Sequence, residues 1–527
     1  MIFGKKKISS RRQQVRNTMA AERSTRLSAI ANSPYPGAVG ILILFIAGCV
    51  YLLGLDTTDK TIFTVLFSSF KPPLELLALT AIVALICFAA ALYINHYLPR
   101  IIGRASRCLN LAALLWILLA LTRIGSMYPE WQYLATGAAI TCAMILTIVY
   151  DQRFALGLSL FYSILACFAV GRIATVELFL TMMSGAVVCC YSLKEIRTRM
   201  KLVQVSATAA IVVFVIAAAM QTIQLIPLGE LFDRMSLGER IQRVTTPAAY
   251  ASAITLAVGI VIQAFLPVIE RTFKVATSMT LMEYSDANQP LLRKLAIEAP
   301  GTFNHSLLIG SMAETAAETI GAKGLLCRVG AYYHDIGKIN KPDYFVENQM
   351  GSASRHKQLS PAMSQLVIVG HVKDGVEIAR EFGLPSVLRQ FIESHHGTTL
   401  MEFFYNEARR RQDEKSTQVS EAEFRYPGPK PRTKEAAIVM LADAGESATR
   451  TLVEPTPAKV ESLVHTIAIK RLQDGQFDEC DLTLKELSRI EESLAKSLAA
   501  YHHGRIAYPN QNDADGVPPR SAANNGN

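Results

Sequence analysis

Charged residues are scarce over a long part of this sequence. They make up 18% of its 527 residues, and they are sparse between residues 37 and 270 and dense outside that stretch. A typical soluble domain carries about 25% charged residues, and half of this chain is apolar. A single soluble domain is therefore excluded, and the composition predicts a membrane half followed by a water-soluble half.

The sequence also lacks the cysteine spacings that build disulfide or metal scaffolds. It contains nine cysteines, but no Cys-x-x-Cys pair occurs anywhere. This pattern excludes a zinc knuckle, an iron–sulfur cluster and a disulfide framework. Most of these cysteines are expected to be small buried apolar side chains. Those inside apolar runs are Cys49, Cys87, Cys142, Cys167, Cys189 and Cys190.

Long apolar runs dominate the charge-poor half. A membrane-spanning helix needs about 20 predominantly apolar residues, so the runs predict a polytopic helical membrane domain over residues 37–268 with about eight helices. By length, the fifth and sixth runs are marginal. The runs cover residues 37–55, 74–94, 109–126, 131–150, 154–170, 175–191, 202–225 and 248–268.

Basic residues indicate how this membrane domain is oriented. The net charge is +9, and eight lysines and arginines lie within the first 26 residues. Further basic residues lie in the loops after the second and sixth runs, on the same side of the membrane if all eight runs cross it. The positive-inside rule then predicts a cytoplasmic basic arm over residues 1–36 and both termini in the cytoplasm. We expect the arm to contact anionic lipid, and we expect no DNA or RNA duplex as a partner.

The second half has the periodicity of helices. From about Glu270, apolar residues recur at helical spacing over residues 299–320, 325–338, 363–382 and 436–448, and β-branched alternation is scarce. We expect an all-α soluble domain over residues 269–505 and a disordered tail over residues 506–527. Residues 409–434 are polar and proline-containing, which predicts a long loop without a chemical role.

Six of the ten histidines lie between residues 305 and 396. A single histidine or aspartate would more often be a packed or solvated side chain than a ligand. His334 and Asp335, if both were on a helix, would project about 100° apart and could face one cavity, where a carboxylate is able to bridge two cations. Imidazole and carboxylate donors without thiolates suit manganese or iron. The candidate ligands are His305, His334, Asp335, His371, His395, His396 and Asp443.

The order of these residues and the sequence around them resemble the seven-transmembrane HD family of cyclic di-AMP phosphodiesterases, a branch of the HD superfamily of metal-dependent phosphohydrolases. The resemblance is dense over about residues 265–500. The motifs that carry it are DANQPLLR at 286–293, EAPGT at 298–302, VGAYYHDIGK at 329–338, FVENQ at 345–349, HHGTT at 395–399 and YPGPK at 426–430.

The resemblance implies a cytoplasmic HD domain with two divalent ions, manganese or iron. One ion would be held by His305, His334, Asp335 and Asp443, and the other by Asp335, His371, His395 and His396. It further implies an enzyme of the bacterial plasma membrane that hydrolyses cyclic di-AMP to the linear dinucleotide pApA. Two neighbouring cations would supply a bridging hydroxide for attack on phosphorus. The oligomeric state is left open, with a homodimer as the candidate.

Two further residues are candidates for contact with substrate. Lys338 follows Gly337 near the predicted end of the HD helix, where it would bind phosphate as a point charge and join Asp335 as a catalytic residue. A plain helix C-terminal cation is an equal alternative for Lys338. His356 lies between the metal motifs and is a candidate for substrate binding, although a solvated loop position is the simpler interpretation.

Alternative functions remain open from the sequence alone. One is hydrolysis of cyclic di-GMP or another nucleotide, although the Gly-Tyr-Pro signature of cyclic di-GMP enzymes is lacking. Another is a non-catalytic receptor that binds a nucleotide, although such a receptor would be expected to lose ligands. Only eighteen residues, 56–73, separate the first two apolar runs. We therefore expect no self-contained external sensory domain at the position where the family commonly has one.

Overall fold

The computed structural model describes residues 35–55, 70–128, 131, 133–171, 175–193, 196, 198–225, 235–349, 355–411, 419–452 and 454–503. Within these ranges the chain is helical, with two isolated β-bridges and no β-strand. The predicted all-α class is confirmed. The chain divides into two compact units, residues 1–279 and 280–527. Nearly all of the predicted basic arm, most of the first loop and all of the predicted tail lie outside the described residues.

The first unit is that of a multi-pass membrane protein. Each of the eight predicted apolar runs lies in a helix of its own, and six of these helices are long and apolar enough to cross a membrane. The helices are α1 (Tyr35–Gly54), α2 (Pro73–Tyr97), the short α3 (Pro99–Ile102), α4 (Ala105–Gly125), α5 (Leu134–Val149), α6 (Gln152–Val170), α7 (Thr175–Ser192), α8 (Arg199–Leu225) and α9 (Leu237–Phe273).

The expectation of which runs are marginal was partly wrong. The fifth run forms α6, a 19-residue helix, whereas the fourth run is reduced to the 16 residues of α5. The helix begins three residues later than the run, at Leu134, and ends one residue earlier, where Tyr150 leaves the helical conformation and Asp151 caps the next helix by accepting from the Phe154 backbone N–H. Nearly all of α5 is buried among α4, α6, α7 and α9. Its apolar side chains therefore pack against protein and need not match the thickness of a bilayer.

Two charged side chains of the membrane unit, Arg123 and Glu177, lie close to helix ends. The Arg123 guanidinium is buried near the end of α4, where it donates to the carbonyl oxygens of Leu55 (2.6 Å) and Ala169 (2.9 Å). At the start of α7, the Glu177 carboxylate accepts hydrogen bonds from Gln221 (2.5 Å) and Gln224 (2.7 Å). These contacts satisfy groups that would otherwise be costly in an apolar environment.

The second unit contains ten helices within the described residues. All four stretches predicted from apolar periodicity correspond to helices in this unit, namely α12, α13, α14 and α17. The full set is α10 (Ser278–Tyr284), α11 (Pro290–Glu298), α12 (Pro300–Thr319), α13 (Gly324–Tyr333), α14 (Pro361–Glu381), α15 (Ser386–Ser394), α16 (Glu402–Arg410), α17 (Lys434–Thr449), α18 (Pro457–Gln473) and α19 (Leu484–His503).

One helix boundary differs from the prediction at an important place. The helix expected over residues 325–338 ends at Tyr333, and Asp335 has φ −111° and ψ 16°, outside the helical region. The chain continues as a 3₁₀ helix, Ile336–Asn340. This turn presses Gly337 against α14 so closely that a Cβ atom there would lie 1.9 Å from the His371 carbonyl oxygen. His334 and Asp335 are therefore oriented by a tight turn rather than by one continuous helix.

Candidate metal centre

The seven predicted ligands come from five helices and the turns that follow two of them. His305 lies on α12, His371 on α14 and Asp443 on α17. His334 and Asp335 follow α13, and His395 and His396 follow α15. Six of the seven residues are buried, and His396 is half-buried. The structure therefore brings residues that are up to 138 positions apart in sequence, such as His305 and Asp443, into one enclosed cluster.

Asp335 lies at the centre of this cluster. Its Oδ2 atom is 3.1 Å from His334 Nε2 and 3.9 Å from His305 Nε2. Its Oδ1 atom is 3.3 Å from His371 Nε2 and 3.5 Å from His395 Nε2. The two oxygens of one carboxylate thus face two different pairs of imidazoles, which is the arrangement a bridging ligand requires.

Asp443 supplies the second carboxylate. Its Oδ1 atom is 3.1 Å from His305 Nε2 and 3.9 Å from His334 Nε2, so it belongs with that pair. Its Oδ2 atom lies 3.9 Å from His396 Nδ1. Three overlapping groups have ligand atoms within 4.8 Å of one another: His305, His334 and Asp443; His334, Asp335 and His395; and His371, His395 and His396.

Backbone carbonyl groups orient three of the imidazoles. The Nδ1 atom of His334 is 2.6 Å from the Ala331 oxygen, and that of His395 is 3.0 Å from the Phe391 oxygen. The Nδ1 atom of His371 contacts the Ile368 oxygen in the same way. A proton on Nδ1 that is donated to a carbonyl leaves the Nε2 lone pair directed into the cluster. This is the usual orientation of a metal-ligating histidine.

The polar atoms at the centre lack enough partners of their own. Among the described residues, His334 Nε2 and Asp335 Oδ1 are buried and make no hydrogen bond. The Nε2 atoms of His371 and His395 face each other at 3.2 Å. Buried polar groups without partners are costly, and a cation placed among these atoms would satisfy them together. The donor set therefore fits divalent metal ions.

The electrostatics of the centre favour bound cations. Burial by itself would raise the pKa of Asp335, but His334 and Lys338 hold that pKa well below its ordinary value. Burial opposes a charge on His334, yet Asp335 and Asp443 raise its pKa to about 10. Burial lowers the pKa of His371 to about 3, so this imidazole is neutral. The carboxylates are thus ionised, and they hold on His334 a positive charge that a metal ion would replace, while His371 already offers a neutral nitrogen donor.

Lys338 lies at the edge of the metal centre. Its Nζ atom is 2.6 Å from Asp335 Oδ2 and 2.8 Å from Glu347 Oε1, and it also lies over the Phe345 ring at 4.9 Å. Because α13 ends earlier than expected, Lys338 is not the last residue of the HD helix. The position places an ammonium group beside the ligands, and its contact with substrate stays a prediction.

The contacts described for His356 include none of the seven predicted ligands. It is on the 3₁₀ helix Arg355–Gln358, where its Nε2 atom is 2.9 Å from the Tyr344 carbonyl oxygen. Its ring packs against Phe404, with the ring centres 5.5 Å apart. These contacts hold His356 in the neighbourhood of Tyr344 and Phe404, and a role for it in substrate binding stays a prediction.

Sequence reasoning missed Glu446. Its Oε2 atom is 2.8 Å from His305 Nδ1, and its Oε1 atom accepts from Arg450 Nε at 2.7 Å. Arg450 Nη2 also lies 3.0 Å from His305 Nδ1. If His305 presents Nε2 to a metal, its Nδ1 would carry the proton, and Glu446 Oε2 is the carboxylate oxygen placed to accept it. The signal was available, since Glu446 follows Asp443 by one helical turn on α17.

We expect Glu446→Gln to weaken metal binding about 10- to 100-fold, the usual effect of removing a group that orients a ligand. The amide would no longer supply the negative charge that holds the His305 Nδ1 proton. Titration of the protein with Mn²⁺ measures this change. Glu461→Gln, an exposed position on α18, is the matched control, and equal affinity of both variants would contradict the role of Glu446.

The polar loop over residues 409–434 was wrongly expected to be remote from the chemistry. Tyr426 stacks on His396 with ring centres 4.2 Å apart and an angle of 28° between the planes. Its backbone N–H donates to the Thr399 carbonyl oxygen, and Arg425 forms two hydrogen bonds with Asp474 at 2.9 and 3.1 Å. The loop is therefore anchored next to the histidine pair, and the YPGPK motif was the signal that could have revealed it.

Comparison with known proteins agrees with this geometry. Residues 73–277 match the family model described as 7TM receptor with intracellular HD hydrolase, and residues 302–447 match the HD domain model. The two matches together follow the domain order of the seven-transmembrane HD family, to which the chain is similar. An HD domain implies the use of divalent metal ions, and the cluster of histidines and aspartates described above supplies the donors.

Two curated relatives carry the name Cyclic-di-AMP phosphodiesterase PgpH. The Bacillus subtilis (strain 168) protein is 47% identical over 251 residues, which are 48% of this chain and 35% of that protein. The Listeria monocytogenes serotype 1/2a (strain 10403S) protein is 42% identical over 261 residues, 50% of this chain and 35% of that protein. The chain thus spans about a third of the length of these relatives. The chain in the crystal structure of the L. monocytogenes PgpH HD domain is 44% identical in sequence to this protein. The match covers 41% of this protein and 100% of the crystallised chain, with a TM-score of 0.39.

Proposed function

We propose that this protein is a membrane-bound, metal-dependent phosphodiesterase that hydrolyses cyclic di-AMP to linear pApA. The observation that carries the proposal is the centre of seven buried or half-buried ligands around Asp335. This centre lies in a chain that is 47% and 42% identical, over about half of its length, to two proteins named as cyclic di-AMP phosphodiesterases. Retention of every ligand favours catalysis over a receptor that only binds a nucleotide.

We propose that the centre holds two divalent ions, manganese or iron. His305, His334, Asp335 and Asp443 would hold one ion, and Asp335, His371, His395 and His396 the other. The division of the Asp335 oxygens between two imidazole pairs supports this assignment. Bound ions of this kind activate water and offset the negative charge that develops on a phosphate during displacement.

The residues of the chain position the reaction. In the hydrolysis, water adds to phosphorus, the bond to the 3′-oxygen breaks, and that oxygen leaves as a hydroxyl group with a proton. The Lys338 ammonium group is held beside the centre by Asp335 and Glu347. Burial opposes its charge, but these two carboxylates raise its pKa, so it stays protonated. It can therefore attract a phosphate oxygen throughout the reaction.

We propose that the protein lies in the bacterial inner membrane with both termini in the cytoplasm. The turn after α2 carries exposed Arg100 and Arg104, as expected for a cytoplasmic loop. Eight crossings would return the chain to the cytoplasm before the HD unit begins. Substrate and centre would then share one compartment. A homodimer and the absence of a nucleic-acid partner stay predictions.

The test is a comparison of substrates with the purified full-length chain in lipid nanodiscs. We expect Mn²⁺-loaded protein to convert cyclic di-AMP to pApA faster than it cleaves cyclic di-GMP, with products separated by chromatography. Faster cleavage of cyclic di-GMP would contradict the substrate. If metal is demonstrably bound and no linear product forms from either dinucleotide, the protein is a receptor and the enzymatic proposal is wrong.

A further inference from the structure

Arg471 lies near the metal centre, and its charged side chain forms no close ion pair with a described residue. It lies near the C-terminal end of α18, and its Nε atom is buried without a hydrogen bond to any described residue. A guanidinium group has five N–H donors and keeps its charge under physiological conditions. The adjacent Lys470, in contrast, is exposed and pairs with Glu402. Arg471 is therefore a half-buried cation that forms no close ion pair with a described residue.

Hydrogen bonds connect this end of α18 to the histidine pair. The Arg471 carbonyl oxygen accepts from the Gln476 N–H at 3.0 Å. The Gln476 side chain accepts from the Thr398 N–H and donates to the Thr398 hydroxyl, both at 2.9 Å. Thr398 follows His396 by two residues, and Gly397 between them has φ +54°. The backbone of Arg471 is thus tied to the loop that carries two of the ligands.

The carboxylates near Arg471 have other partners. Asp443, Asp474 and Glu402 are the acidic groups that interact with it electrostatically. Asp474 accepts from Arg425 and from Gln476 at 2.8 Å, and Glu402 pairs with Lys470. Asp443 faces the ligand histidines. A half-buried cation without a close ion pair to a described residue is available to an anionic ligand, and the planar guanidinium matches the oxygens of a phosphate in a bidentate manner.

We propose that Arg471 binds the phosphodiester of the cyclic dinucleotide that is not being cleaved. This inference rests on the proposed function. A cyclic dinucleotide has two phosphodiesters, and only one of them can occupy the metal centre at a time. Lys338 is held at that centre by Asp335 and Glu347. The second phosphate needs a separate cation, and Arg471 is half-buried, interacts electrostatically with Asp443 and forms no close ion pair with a described residue. It is thus a determinant of specificity for cyclic dinucleotides over simple phosphodiesters.

The test compares a substrate that has two phosphodiesters with one that has a single phosphodiester. Full-length Arg471→Gln is assayed with cyclic di-AMP and with bis(p-nitrophenyl) phosphate. We expect KM for cyclic di-AMP to rise about 10- to 100-fold, as for the loss of a hydrogen bond to a charged group, with kcat nearly unchanged. The kinetics of the simple diester should not change. Lys470→Gln is the matched control and should behave like the unaltered protein with both substrates.

The outcomes separate this inference from the proposed function. If the unaltered protein cleaves cyclic di-AMP and Arg471→Gln has the same KM, the inference is wrong while the proposed function stands. If Arg471→Gln loses activity equally on both substrates, the residue is structural and the inference is also wrong. Failure of the unaltered protein on cyclic di-AMP overturns both. Arg471→Lys, which keeps the charge but not the planar fork, should give an intermediate KM and serves if the glutamine variant does not fold.

Discussion

Replacing Asp335 with alanine should remove both metal ions and abolish turnover. Asp335 is the residue whose two carboxylate oxygens face both pairs of imidazoles, at 3.1 and 3.9 Å on one side and 3.3 and 3.5 Å on the other. Loss of several kcal/mol of metal-assisted stabilisation of the transition state corresponds to a fall of about 10³-fold or more in kcat. Substitution would also leave Lys338 with Glu347 alone.

Metal analysis and turnover together check this prediction. Asp443→Ala should lose mainly one ion, because Asp443 has its short contact with His305 and only longer contacts with His334 and His396. Asp374→Ala is the control, since Asp374 is an acidic residue of α14 whose described hydrogen bond is with the exposed Asn340. An Asp335→Ala protein that retains two ions per chain would show that the bridging assignment is wrong.

Replacing Lys338 with methionine should have the second largest effect. The variant would leave Asp335 and Glu347 as neighbouring carboxylates, with side chains only 2% and 11% exposed. Removing one partner of a buried ion pair costs about 3–5 kcal/mol of stability, which a chemical denaturation curve of the metal-free protein would measure. If Lys338 also contacts the reacting phosphate, kcat should fall about 10²- to 10³-fold, as for other groups that stabilise developing charge.

A double variant separates the structural effect of Lys338 from its chemical effect. Adding Glu347→Gln to Lys338→Met removes the excess negative charge, while Thr302 can still donate to the side-chain oxygen at position 347. Stability should largely return. We expect kcat to stay low, since no cation has been restored. Recovery of both stability and kcat would instead mean that Lys338 only offsets the charge of its neighbours, as the structural alternative holds.

The sequence predicted the helices well because apolar runs and helical periodicity are local information. Apolar runs of membrane length and helical periodicity are properties of neighbouring residues, and all eight runs and all four periodic stretches correspond to helices. The ligand set came from residue types in a characteristic order, which the family resemblance strengthened. The structure brings the seven residues together, although the function of each in holding a particular ion stays a prediction.

Local patterns failed where contacts between distant segments decide the outcome. Helical periodicity predicted that the HD helix extends to Lys338. The helix instead ends at Tyr333, and the turn that follows packs Gly337 closely on α14. The polar loop looked solvent-exposed, yet Tyr426 stacks on His396 because Arg425 is anchored to Asp474, 49 residues away. No periodicity in either segment could encode these contacts.

The charge-poor half of the sequence, by itself, determined that the chain has a membrane region, since apolar runs of that length have no other favourable environment. The histidine and aspartate pattern indicated a metal-dependent hydrolase through its resemblance to the HD superfamily. Only the tertiary structure decided that Asp335 faces two imidazole pairs, that Glu446 lies beside His305, and that the half-buried Arg471 forms no close ion pair with a described residue. The reason is that residue type sets what a side chain can bind, whereas packing between distant helices sets what lies within bonding distance of it.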